Sequence, residues 1–207
     1  MRKLLIWPLV FIWVLIPVCG DSADLKTKAE VEAMLRDFSI KLTLDAEGQE
    51  TYYFTQVVCD DGCYNELEGR NHEIEFADFT ANQLYTLDVD EKIYVVEPLD
   101  PEMRDELRGF DFMLGSNLFL HTRSMNNNAF KKAGNEKILG RDATVYALEN
   151  NNGTTETFWI DDEYGFTLKY IQTGGHQIRM EVTEFGTKGI SVAGMLNLDG
   201  YQLEEED

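Results

Sequence analysis

The sequence predicts a mainly β fold of the α+β class. The expectation is a strongly curved antiparallel sheet of about nine to eleven strands, with an N-terminal helix and a short helical insert covering the concave face. Three observations carry it. Residues 155–185 hold three runs of alternating hydrophobicity separated by two turn clusters. In the middle run Phe166, Leu168 and Tyr170 share one face, and in the last Ile178, Met180 and Val182 oppose Gln177, Arg179, Glu181 and Thr183. The same period of two recurs through most of the chain, and residues 110–120 supply one oily stretch to cover the apolar face of such a sheet.

The elements follow in order. Residues 22–36 read as a helix, because Val31, Met34, Leu35 and Phe38 make one apolar stripe. Residues 38–45 switch to period two, residues 46–49 turn, and residues 50–58 are rich in aromatic and β-branched side chains. Cys59-Asp60-Asp61-Gly62-Cys63 is a tight turn into a strand through Tyr64, Glu66 and Glu68, and residues 73–77 form a shorter strand. Residues 84–87 and 93–96 flank a turn as a hairpin. Asp100, Pro101 and Glu102 supply a cap, a proline at the first helical position and an acid in the first turn, so residues 101–108 read as a helix. Residues 110–120 have no clean period and read as one or two short buried helices. Residues 130–139, 143–148 and the opening stretch complete the sheet, with residues 192–198 as a candidate last strand.

The first residues read as an export signal. Met1-Arg2-Lys3 is basic, residues 4–18 are apolar, and a cut after Gly20 fits. Two alternatives stay open: Cys19 as the lipid-modified first residue of a lipoprotein, giving a membrane anchor, and a retained apolar segment. Residues 1–20 are then the signal, 21–203 one domain and 204–207 a disordered acidic tail, in a protein of the periplasm or cell surface and in a monomeric state. The net charge of −20 becomes −22 once Arg2 and Lys3 leave with the signal. That balance argues against nucleic acid and against anionic lipid surfaces as electrostatic partners. Export favours a disulfide between Cys59 and Cys63, while two free thiols or half of a metal site remain open.

Catalytic signals are sparse. No serine lies in Gly-x-Ser-x-Gly, and no HExxH or glycine-rich phosphate loop is present. The expectation is a protein that is not an enzyme and needs no cofactor or metal. Asp88, Asp90 and Glu91 lack the spacing of a calcium loop, and Asn152-Gly153-Thr154 reads as a turn. The aromatic side chains admit two readings, ordinary core packing and an apolar pocket on the concave face. Its candidate lining is Tyr52, Phe54, Phe76, Tyr85, Tyr94, Phe158 and Trp159, with Phe110, Phe112, Met113, Leu118 and Phe119 as plug or lid.

A family resemblance rests on Phe158-Trp159-Ile160-Asp161, Gly165 and Leu168-Lys169, followed by residues 181–185 and Leu198-Asp199-Gly200-Tyr201. This run resembles the periplasmic lipoprotein carriers, the outer-membrane lipoprotein-sorting (LolA-like) family. Thr167 stands where that family commonly has proline. The resemblance implies a half-open β-barrel whose concave face, lidded by helices, receives a hydrophobic ligand: a lipid, or the acyl chains of a lipidated protein. The alternative is an envelope interaction or sensor domain with the same fold and a filled core.

Overall fold

The computed structural model describes residues 26, 30–31, 34–108 and 130–204. Its strands are β1 (Phe38–Ala46), β2 (Tyr52–Cys59), β3 (Gly62–Glu68), β4 (His72–Asp78), β5 (Gln83–Asp88), β6 (Ile93–Pro98), β7 (Lys131–Ile138), β8 (Arg141–Glu149), β9 (Thr155–Asp161), β10 (Thr167–Thr173), β11 (Ile178–Gly186) and β12 (Gln202–Leu203). They form one sheet in the order β12-β6-β5-β4-β3-β2-β1-β11-β10-β9-β8-β7. The chain therefore lays down β1, builds five strands to one side by hairpins, and returns through β7 to β11 to pair β11 with β1. The sheet is strongly curved and does not close, because β12 and β7 end it without pairing to each other.

Local chemistry sets the turns. Asp78 Oδ1 accepts the N–H groups of Thr80 and Ala81 at 2.8 Å, and Asp88 Oδ1 accepts that of Glu91 at 2.8 Å. Leu139 and Gly140 join β7 to β8 with φ of 53° and 76°, the paired positive values that match a two-residue turn to strand twist. The helix α1 (Pro101–Arg108) starts as its cap predicts: Asp100 Oδ1 accepts the Glu102 N–H at 2.8 Å.

Among the described residues the strand count is twelve, and the expected strand at residues 192–198 is not one. That stretch is irregular, and the last strand among the described residues is β12, which runs parallel to β6. Val192 and its neighbours serve as cover. Val192 packs with Val57, Cys59, Tyr64 and Phe76 on the convex face, joined by Ile190, Met195 and Leu196. The expected helical cover is also not supported. Among the described residues, helix is confined to α1 and to Glu30, Val31 and Met34, where the Leu35 N–H donates to the Val31 carbonyl at 3.0 Å. Val31 and Leu35 are buried, but Met34 is 44% exposed and Phe38 belongs to β1. The insert at residues 110–120, the signal at residues 1–20 with Cys19, and tail residues 205–207 lie outside the described residues. Among the described residues no helix is long and apolar enough to cross a membrane.

Register also removes the expected disulfide. Cys59 pairs with Gly62 across a two-residue turn, and Cys63 pairs with Val58. Side chains alternate between faces, so a one-residue offset sends the two sulfurs to opposite sides of the sheet. Cys59 joins the convex cluster and Cys63 the main core; both are free.

Candidate concave-face site

Register and alternation define the concave face strand by strand. In β1 it carries Phe38, Ile40, Leu42 and Leu44, and these align with Val58, Gln56, Phe54 and Tyr52 of β2. Cys63, Asn65 and Leu67 continue the same three inner layers into β3, then Ala77, Glu75 and Glu73 into β4, then Leu84, Thr86 and Asp88 into β5. On the other side Leu42 and Leu44 meet Val182 and Met180, and Met180 leads through Tyr170 and Phe158 to Tyr146.

One end of this trough is plugged. Val31, Leu35, Phe79, Leu99, Leu107 and Phe166 enter from the segments flanking the strands and are all buried in the main core. The other end differs. Leu44, Tyr52, Phe54, Leu67, Ile93, Tyr146 and Ile178 are only half-buried there. A small depression of about 20 Å³ lies on this side, lined by Glu73, Thr86, Leu87, Asp88, Ile93, Tyr94, Val95 and Glu204.

The trough has two unlike halves. From β1 through β11 and β10 to β9 its layers are apolar. Phe158 stacks on Tyr170 with ring centroids 4.9 Å apart and meets Phe130 edge-on at 5.6 Å. Burial and the Glu156 carboxylate raise the Tyr170 hydroxyl's pKa, and that hydroxyl donates to Glu156 Oε2 at 3.3 Å. From β2 to β5 the middle layer is polar: Gln56, Asn65, Glu75 and Thr86 stand directly opposite one another on successive strands. Gln56 is only 3% exposed. Among the described residues, both of its amide atoms, Asn65 Nδ2 and Glu75 Oε2 are buried without a hydrogen bond of normal geometry, although the Gln56 amide lies beside the Cys63 thiol.

The polar layer perturbs its neighbours. Burial pushes the Cys63 thiol up to about 12, and the Glu75 charge adds to that. Cys63 Sγ donates to Asn65 Oδ1 at 3.6 Å. Glu75 is itself raised, first by burial and then by Glu73. The Asn65 amide lies close enough to favour the ionised form, yet its Nδ2 closes no hydrogen bond of normal geometry.

The predicted lining residues divide between the faces. Tyr52, Phe54 and Phe158 lie on the concave face. Phe76 and Tyr85 lie on the convex face, where their rings meet edge-on at 6.0 Å under the C-terminal cover, and Tyr94 shares that face. Trp159 also faces away from Phe158, because it is the next residue in the strand. It pairs with Val145 and Lys169, holds the Lys169 ammonium 4.6 Å from its ring centroid, and donates its Nε1–H to Glu136. Phe110, Phe112, Met113, Leu118 and Phe119 lie outside the described residues. Sequence reasoning passed over Gln56, Asn65 and Glu75. Gln56 and Asn65 are in phase with apolar or small neighbours on their own strands and Glu75 with Glu73 and Ala77, but only cross-strand register gathers the three into a row.

The Trp-Ile-Asp and Gly motif has a structural role. Asp161 is 1% exposed and accepts from Arg141 Nε at 2.5 Å and from the N–H groups of Glu163 at 3.0 Å and Tyr164 at 2.7 Å. The Gly165 N–H donates to the Asp161 carbonyl at 2.8 Å, at a φ of 83° that favours glycine. Thr167, at the position where proline is common, is fully buried with an unpartnered hydroxyl.

No family model matches the chain, and no curated protein matches it. Solved structures do. The Pseudomonas aeruginosa MucA/MucB complex matches at 16% identity and a TM-score of 0.47, over 82% of this chain and 58% of that chain. The Mycobacterium tuberculosis lipoprotein LppX matches at 9% identity and 0.41, over 79% and 93%. A provisionally assigned outer membrane lipoprotein-sorting domain from Vibrio parahaemolyticus matches at 10% identity and 0.22, over 79% and 88%. These are similarities of shape, and no residue role is carried across. The last of the three bears the name of the family whose motifs the sequence resembles.

Proposed function

We propose that this protein is an exported, non-enzymatic carrier that binds a hydrophobic or amphiphilic ligand on the concave face of its sheet. One observation carries the reading: the trough is plugged by buried side chains at one end and lined by half-buried apolar ones at the other. Leu44, Tyr52, Phe54, Tyr146 and Ile178 keep apolar area in water that a filled core would hide. An acyl chain laid along them leaves water at roughly 0.8 kcal/mol per buried CH₂. Phe158 and Tyr170 form the floor behind them. The ligand is a free lipid or the acyl chains of a lipidated protein, as the family resemblance implies. Residues 1–20 direct export, and Cys19 is the point of attachment if the mature protein is a lipoprotein.

The test is to purify the mature protein under non-denaturing conditions, extract it with organic solvent and identify what is released by mass spectrometry. A stoichiometric lipid supports the carrier. Clean protein that also fails to enhance the fluorescence of N-phenyl-1-naphthylamine contradicts it. Clean protein that captures one protein partner in place of lipid supports the interaction or sensor domain.

A further inference from the structure

We propose that the Gln56–Asn65–Glu75 row is a head-group subsite for an uncharged, hydroxyl-rich amphiphile such as a monoacylglycerol, whose chain occupies the apolar half of the same trough. The proposal rests on the carrier reading and names the ligand class it takes.

The argument begins with unmet hydrogen bonds. Gln56 Nε2 and Asn65 Nδ2 are donors; Gln56 Oε1 and Glu75 Oε2 are acceptors; all four atoms are buried and, among the described residues, none closes a hydrogen bond of normal geometry, although the Gln56 amide lies beside the Cys63 thiol and the Asn65 amide beside the Glu75 carboxylate. Buried polar groups are nearly always paired, so a row of such atoms on one layer is a place where ordered water, or the polar group of a ligand that displaces it, completes the bonding. The mixture of donors and acceptors selects its chemistry. A hydroxyl both donates and accepts, so adjacent hydroxyls can meet all four atoms. An ammonium group has no acceptor for the two amide donors. A phosphate or carboxylate meets the wrong field: no Lys, Arg or His stands on the concave face of β2 to β6, whereas Glu73, Glu75 and Asp88 do.

Geometry sets the size. Strands lie about 4.8 Å apart, so Gln56 and Glu75 are about 10 Å apart along the row, the reach of a glyceryl group or a single sugar. The apolar half adjoins directly, because Gln56 pairs with Ile40 and Phe54 with Leu42. Access is from the half-buried end: Thr86, opposite Glu75, lines the depression that also takes in Glu73 and Asp88.

The experiment loads the mature protein with N-phenyl-1-naphthylamine and displaces it with four ligands sharing one chain: 1-lauroylglycerol, laurate, lauryl phosphate and dodecylammonium. The expected result is displacement by 1-lauroylglycerol at about a tenfold lower concentration than by the other three, as for a site whose polar groups go unpaired with the wrong ligand. In Gln56→Met, and separately in Asn65→Leu, this advantage is expected to disappear, with thermal melting confirming that each variant is folded. Probe uptake with four equal displacement curves, or with dodecylammonium or an anion strongest, overturns the subsite and leaves the carrier standing. An advantage that survives in folded Gln56→Met and Asn65→Leu also overturns it. Failure of the wild-type protein to take up the probe sinks the carrier itself.

Discussion

The two halves of the concave face are built from the same backbone and obey opposite rules. Between β1 and β9, Leu42, Val182, Met180, Leu168 and Phe158 are buried against one another, with no polar atom in those side chains to satisfy. Each such side chain contributes about 1.5–3 kcal/mol on removal from water. Between β2 and β5 the middle layer is a buried Gln56 beside a half-buried Asn65 and Glu75, with buried polar atoms that each cost about 1–3 kcal/mol when left unsatisfied. One half accounts for much of the sheet's stability. The other works against it, and it is the half to which the proposed head group is assigned.

The comparison can be broken by substitution. The largest effect is expected on the apolar side. Phe158→Ala removes a fully buried ring that packs on Phe130 and Tyr170, and urea denaturation should show a loss of about 3–5 kcal/mol. On the polar side the sign reverses. Gln56→Met keeps the volume and removes two unpartnered atoms, so the same measurement should show a gain of about 1–2 kcal/mol. A loss there would mean that Gln56 is held by structure rather than kept for a ligand.

Glu75 gives a finer test through pH. Its folded-state pKa is raised by burial, so the native state binds the proton more tightly than the unfolded chain does. Glu75 therefore favours the fold most when protonated, and this contribution is lost as pH rises from the ordinary carboxylate range through the raised value. Thermal melts should show that Glu75→Gln removes this fall and gains most over wild type at the neutral end. A wild-type advantage that grows with pH would contradict the assignment. Cys63 is the smallest probe. With its thiol pushed up to about 12 and buried, it should resist alkylation at pH near 8 in the native protein. Both Cys59 and Cys63 should react once the protein is denatured without reductant, since no bridge joins them.

How much of this was legible in the sequence varies by element. Period two gave β10 and β11 directly, because Leu168, Tyr170, Met180 and Val182 alternate with polar residues and all are buried. The cap at Asp100 gave α1. What failed was information that lives between strands. The Cys59–Cys63 spacing suggested a bridge until the two-residue turn fixed Cys59 opposite Gly62. Phe76, Tyr85, Tyr94 and Trp159 looked like pocket residues because aromaticity does not say which face a side chain takes. β12 has two residues and no period to detect. Gln56 was visible in principle, in phase with Tyr52, Phe54 and Val58, but one glutamine in a strand is weak. Its meaning appears only when Asn65 and Glu75 line up beside it.

The measurement closest to the central claim is photo-crosslinking with an acyl probe carrying a diazirine on its chain, mapped by peptide mass spectrometry. The account predicts adducts on the half-buried end of the trough, at Leu44 in β1, Tyr52 or Phe54 in β2 and Ile178 in β11. Adducts concentrated on the convex face around Tyr85 and Val192, or no saturable labelling at all, would contradict it.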